Sequence, residues 1–152
     1  LGVTIIPSTD SKGCALKSQL IVGETTSRKP IIDKSWLTPG CGLVTMHSGE
    51  VCEEVVLAAD AVAADYWTQL KQHANPLSKL TKEGKLAEGE IIDLCQLVLG
   101  EKKLRTSDDQ FVMSASMGLG ALDIMIGYQM YLNAMEKGIG TKVNLWDKPL
   151  WE

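Results

Sequence analysis

Little in this sequence suits nucleic acid, a membrane or a metal ion. Fifteen Lys and Arg against nineteen Asp and Glu leave a formal net charge of −4. The basic residues are scattered, so the clustered cationic surface that a phosphate backbone needs is missing. No apolar run approaches the length that spans a bilayer. The four cysteines, Cys14, Cys41, Cys52 and Cys95, are too irregularly spaced for a zinc site and too few for a disulfide scaffold, which makes reduced thiols in a cytoplasmic protein the expectation. Internal repeats and low-complexity tracts are absent. The chain opens on Leu1-Gly2-Val3 without an initiator Met, a basic leader or a signal-peptide core, and the expectation is that it begins inside something larger.

What is present fits one α/β domain. A chain of 152 residues, 45% hydrophobic and 22% charged, has enough apolar content for a core. Short apolar runs at residues 3–6, 20–22, 43–46 and 61–64 read as strands, the second, β-branched, as a buried parallel strand. Between them fall helical or turn segments, among them a helix over 53–60 and a Pro39-Gly40 turn. Residues 66–90 carry Asn75-Pro76, Gly84 and Gly89 among Lys and Glu, and read as a surface excursion with at most one short helix. A helix over 91–99 closes at Gly100. Leu119, Leu122, Ile126 and Met130 recur every three or four residues before Gly138, which predicts a long helix over 118–137. This rhythm gives a layered α/β structure with a mostly parallel sheet.

A dinucleotide is ordinarily gripped by a Gly-x-Gly-x-x-Gly turn, because only glycine lets backbone amides and a helix N-terminus reach the pyrophosphate. The chain has three Gly-x-Gly pairs, Gly40-Cys-Gly42, Gly118-Leu-Gly120 and Gly138-Ile-Gly140, and none carries the third glycine. Each reads as a cap or a close-packing point.

Several motifs nevertheless share one order and spacing: Leu1-Gly-Val-Thr-Ile-Ile-Pro, Leu20-Ile-Val, Thr25-x-x-Arg28-x-Pro30-Ile, Trp36-Leu-x-Pro-Gly40, Asp93-Leu94, Gly100, Arg105-Thr-Ser-Asp-Asp109-Gln110 and Lys137-Gly-Ile-Gly-Thr-Lys142. After the Arg105 turn comes Phe111-Val-Met-Ser-Ala-Ser116-Met117-Gly118. Over nearly its whole length the chain thus resembles the ornithine cyclodeaminase/mu-crystallin family. The resemblance implies a partial, mostly parallel Rossmann-like sheet with flanking helices that lacks the fingerprint half. Residues 1–152 would be the C-terminal portion of an NAD(P)-binding domain, with its C-terminal helix and tail. The fingerprint turn, the ribose reader and an N-terminal substrate and dimerisation domain would lie outside the chain.

On this resemblance Thr25, Ser116 and the loop residues Met46, His47, Ser48 and Gly49 border an NAD or NADP cofactor, and Met117 lies beside the substrate. From the residues alone, Thr25 reads equally as a loop threonine bonded to local backbone, and Ser116 as the N-cap of the long helix. Asp108 and Asp109 read as turn and capping carboxylates. The loop 46–50 departs from the family. Cyclodeaminases carry there an aspartate that activates water against an imine, whereas an ungapped count puts Gly49 at that place. A shift of one residue puts Glu50 there, a candidate catalytic base. His47 is a second candidate acid or base, or a bystander.

The implied chemistry is NAD(P)-dependent conversion of an amino acid such as ornithine through an imine to proline and ammonia. Ketimine reduction or amino-acid dehydrogenation in the same family, or a non-catalytic binding remnant, are the alternatives. The implied partners are a small-molecule amino acid and a second subunit, joined through the absent domain, or a companion chain that supplies it. The long helix is expected to pack partly against that domain, and residues 146–151 to form a packed tail.

Overall fold

A computed structural model describes residues 2–46, 49–144 and 146. The chain divides into two units, Leu1–Gly118 and Leu119–Glu152. In the first, strands β1 (Leu20–Gly23), β2 (Gly42–Thr45), β3 (Ala61–Ala64), β4 (Ile91–Asp93) and β5 (Val112–Ala115) form one sheet in the order β1-β2-β5-β3-β4. Every neighbouring pair is parallel, as the alternating pattern predicts. The last strand in sequence is therefore the middle strand in space.

Register explains which side chains build the core. Ile21, Leu43, Met113, Val62 and Ile91 lie in one row across the sheet, and of these Leu43, Met113, Val62 and Ile91 are buried. Helices α2 (Glu53–Leu57), α3 (Trp67–Leu70) and α4 (Pro76–Lys82) contribute Val55, Val56, Trp67, Leu70, Leu77 and Leu80 to the same apolar cluster. Two further helices, α1 (Ser11–Leu16) and α5 (Leu94–Val98), are short and contribute little to it.

Four expectations from sequence need correction. Residues 3–6 form no strand: Val3, Ile5 and Ile6 are exposed, and without a neighbouring strand their backbone has no ladder to join. β1 is a parallel strand but an edge one, and its Leu20 and Val22 are each 59% exposed. Residues 66–90 are no mere surface excursion, since α3 and α4 place Trp67, Leu70, Leu77 and Leu80 in the core. The Asn75-Pro76 pair starts α4 rather than breaking it: Asn75 Oδ1 accepts from Ser78 N at 2.9 Å, Ser78 Oγ accepts from Asn75 N at 3.2 Å, and Pro76 stands at the first helical position. Residues 91–93, read as the start of a helix, are instead strand β4, and Asp93 is the N-cap of α5.

The second unit holds one long helix, α6 (Gly120–Lys137). It ends as the sequence predicts, with Gly138 at φ +61° and the Ile139 amide donating to the Ala134 carbonyl at 3.0 Å. It begins two residues later than predicted, with Leu119 as N-cap. None of its residues is buried, and the stripe Leu122, Ile126 and Met130 is exposed. Trp146 is exposed, and residues 147–151 of the expected packed tail lie outside the described residues. Among the described residues no helix is long and apolar enough to cross a membrane. All four cysteines are free thiols.

Met113 is fully buried on the middle strand, so Met113→Ala should cost about 2–5 kcal/mol in urea unfolding. Ile126→Ala, on the exposed face of α6, should stay within about 0.5 kcal/mol. A large loss at Ile126 in the isolated chain would show that α6 carries buried contacts.

Candidate functional site

Five parallel strands bring all their carboxyl ends to one edge, where open α/β sheets bind ligands. Gly23, Thr45 and Ala115 share one register level on the adjacent strands β1, β2 and β5. The ladder runs one step beyond it: Met46 N donates to Gly23 O at 3.1 Å, and Ser116 N to Thr45 O at 2.8 Å. The expected site residues Thr25, Met46, Ser116 and Met117 therefore stand on neighbouring strand exits. Gly49 lies in the loop before α2, half-buried, while His47 and Ser48 fall outside the described residues. Beside the crest a cleft of about 750 Å³ is lined by Arg28 and Gly49 from two exit loops and by Glu53, Asn75, Lys79 and Lys82. Within it Lys79 pairs with Glu53 at 2.6 Å, a hydrogen bond that raises the Lys79 pKa above the ordinary lysine value.

Glu50 is 0% exposed. Its Oε1 accepts from the Thr25 amide at 2.6 Å and the Thr25 hydroxyl at 2.8 Å, and its Oε2 accepts from the Met46 amide at 3.2 Å. The Glu50 carbonyl in turn accepts from the Ile31 and Ile32 amides at 2.9 and 3.2 Å. One residue thus ties both ends of the β1 exit loop to the β2 exit. Gly23 gives the carboxylate its space, because a Cβ there would lie 2.7 Å from Oε2. The Thr25 hydroxyl also accepts from Ser27 N at 3.3 Å, so its bonding is both local and long-range.

On the other side of β5, Asp65 follows β3 directly. Its Oδ1 accepts from Tyr66 N, and its Oδ2 from Met117 N and Gly118 N, all at 2.8 Å. Asp93 repeats the device one strand further, its Oδ1 accepting from Trp67 N at 2.6 Å. Sequence reasoning did not single out Asp65. The available signal was a carboxylate directly after the apolar run 61–64.

The N-cap reading of Ser116 does not hold, since α6 starts at Gly120. Ser116 is half-buried on the crest, and among the described residues its hydroxyl has no hydrogen-bond partner. The Arg105 turn lies at the opposite, amino edge. Arg105 Nη2 donates to Cys41 O at 3.1 Å and Gly40 N to Asp109 O at 2.8 Å. A Cβ on Gly40, whose φ is +77°, would lie 2.5 Å from Asp108 O. The Asp109 carboxylate accepts from the Ser107 hydroxyl, which holds its pKa below the ordinary value. Asp109 thus serves as a turn carboxylate and caps none of the described helices, and Asp108 faces Gly40 with its backbone carbonyl.

A family model described as the ornithine cyclodeaminase/mu-crystallin family matches residues 1–138. The N-((2S)-2-amino-2-carboxyethyl)-L-glutamate dehydrogenase of Staphylococcus aureus is 28% identical over 145 residues, which are 95% of this chain and 43% of that protein. The Delta(1)-pyrroline-2-carboxylate reductase of Thermococcus litoralis, solved in complex with NADH and L-proline, matches with a TM-score of 0.74 at 26% identity, over 88% of this chain and 43% of that one. CmnK shares the fold, with a TM-score of 0.82 at 20% identity over 97% and 45% of the two chains. The chain spans less than half the length of these relatives.

The Glu50 clamp yields a stability prediction. Glu50→Gln leaves one acceptor where two carboxylate oxygens serve three donors and should cost about 1–3 kcal/mol. Gly23→Ala, which drives a methyl into Oε2, should cost about 1–3 kcal/mol. In a double-mutant cycle by urea denaturation the two costs should fall short of additive, because both act on one contact. Full additivity would separate Gly23 from the clamp.

Proposed function

The chain belongs to the ornithine cyclodeaminase/mu-crystallin family, and from that premise we propose that it supplies one side of a nicotinamide-dinucleotide site. The parent activity in this reading is oxidation of the bond between the α-carbon and nitrogen of an amino acid, or reduction of the matching imine. The observation that carries the reading is the convergence of Thr25, Met46 and Ser116 on adjacent strand exits, with a Ser116 hydroxyl that no described residue engages. The Thr25 and Met46 donors are engaged by Glu50, so the Ser116 hydroxyl is the donor that this crest leaves for a neutral carboxamide or ribose. The pyrophosphate end does not fit in the same way, since no Gly-x-Gly-x-x-Gly turn is present. Further walls of the site must come from outside these residues.

When bound, the cofactor supplies or accepts the hydride. The tasks left to this chain are to hold and to shape. Thr25, Met46, Gly49 and Ser116 line the cofactor, and Met117 presents an apolar side chain to the substrate. Glu50 fixes the positions of Thr25 and Met46 through its three hydrogen bonds.

Cyclisation of ornithine to proline with loss of ammonia is the finer alternative. It asks for an acid or base that reaches the imine. Glu50 is the carboxylate expected there, and its burial against Thr25 and Met46 favours dehydrogenase or imine-reductase chemistry over cyclodeamination. The resemblance of the chain to a pyrroline-2-carboxylate reductase at 26% identity supports the same preference.

In a titration followed by nucleotide fluorescence, the 152-residue chain should not saturate with micromolar NADH, because the pyrophosphate turn is missing. At millimolar NADH, amide chemical-shift changes should concentrate at Thr25, Met46 and residues 116–118. Saturable micromolar binding would overturn the one-sided site, and shift changes centred away from the crest would overturn its location.

A further inference from the structure

We infer that Asp65 is a positioning residue that sets the shape of the nicotinamide-facing wall at residues 116–118. The inference rests on the cofactor reading above, and its physical basis stands apart from it. Asp65 is 8% exposed, so its carboxylate has given up most of its hydration and depends on protein donors in exchange. It has three, all backbone amides at 2.8 Å: Tyr66 on one oxygen, Met117 and Gly118 on the other. The Asp65 amide itself donates to Ala115 O at 3.2 Å. The residue therefore holds the β5 exit from both sides, extending the β3–β5 ladder by one step and then capturing the next two amides.

Those two amides need capture. β5 ends at Ala115, Gly118 takes φ +92°, and α6 starts at Gly120. Between strand and helix, the Met117 and Gly118 amides have no carbonyl partner in the ladder, and Asp65 replaces one. Its Oδ2 holds the amides of two consecutive peptide planes, Ser116–Met117 and Met117–Gly118. Those planes hold the backbone that carries Ser116 and Met117 on the crest. Serine and methionine at these places are reachable by a ligand, since Ser116 is half-buried and Met117 exposed. Asp65 itself is not, which makes it a support for the wall and not part of its surface.

Amide hydrogen exchange and NADH-induced shifts on the full 152-residue chain test this. Asp65→Asn keeps one acceptor and turns a donor toward the amides on the other side, and Asp65→Ala removes both. Exchange at Met117 and Gly118 should quicken by roughly tenfold in Asp65→Asn and by more in Asp65→Ala. Val112–Ala115, bonded strand to strand, should change only as far as global stability changes. At millimolar NADH the shift changes at residues 116–118 should vanish in both variants, while those at Thr25 and Met46 persist. Unchanged exchange at Met117 and Gly118 in Asp65→Asn would overturn the clamp. Accelerated exchange with the NADH shifts at 116–118 intact would overturn its role in the wall. Absence of NADH shifts in the unsubstituted chain would instead sink the cofactor reading and leave the exchange result to judge the clamp alone.

Discussion

Buried carboxylates that accept backbone amides at the carboxyl edge of a parallel sheet are the interaction on which this structure turns. A parallel ladder cannot satisfy the amides that follow each strand, because the chain must leave the sheet there. In this chain the buried Glu50 and Asp65, and the half-buried Asp93, take up those amides. Each reaches across to a segment that follows a different strand, so the exits are tied to one another as well as satisfied. Removing a carboxylate from water costs several kcal/mol. Charge-assisted hydrogen bonds, three or more to Glu50 and three to Asp65, are what offset that cost. Deleting the donors or the acceptor breaks the compensation, while the sheet itself would keep its core row of Leu43, Met113 and Val62.

The two edges of the sheet divide the work. At the amino edge, Arg105, Gly40 and Asp109 lock the entry of β5 against the entry of β2, and Asp60 Oδ2 accepts from Phe111 N at 2.8 Å on the other flank. At the carboxyl edge the same strand emerges between Thr45 and Asp65. The Arg105 turn and the Ser116 crest belong to one sequence signature but lie at opposite ends of a four-residue strand. The turn is placed to fix where β5 enters, and the crest is what that placement delivers.

Much of this was legible in the sequence, for local reasons. The run 61–64 is a strand ended by an acidic residue, and Gly100 and Gly138 terminate helices at positive φ, as their positions after apolar segments imply. The alternation of strands and helices fixed the parallel sheet. What sequence could not convey was partnership. Residues 3–6 have strand composition and no neighbour to pair with. The three residues of β4 pair with β3 only because Val62 and Ile91 meet across the chain, and their apolar run merges into that of α5. Asn75-Pro76 is both a loop signal and a helix start, and the buried Leu77 and Leu80 decide which. An ungapped count places Gly49, and a one-residue shift Glu50, at the family's aspartate, whereas Glu50's role comes from Thr25 and Gly23, residues that precede it by more than twenty positions.

The loop between β2 and α2 carries the chemical question. Hydride transfer of the dehydrogenase or imine-reductase kind, proposed above, needs fixed partners, and rigid placement of the crest is the part of that requirement within reach of this chain. Cyclodeamination adds proton transfers at the imine, and a group that performs them must reach the substrate. In the described part of the loop the buried Glu50 carboxylate accepts from Thr25 and Met46, and Gly23 packs so closely that a Cβ there would lie 2.7 Å from Oε2. A residue that holds two strand exits cannot release them for acid–base work without loosening the site it supports. The physical requirements of the clamp and of the base thus compete for one side chain, and the clamp occupies it.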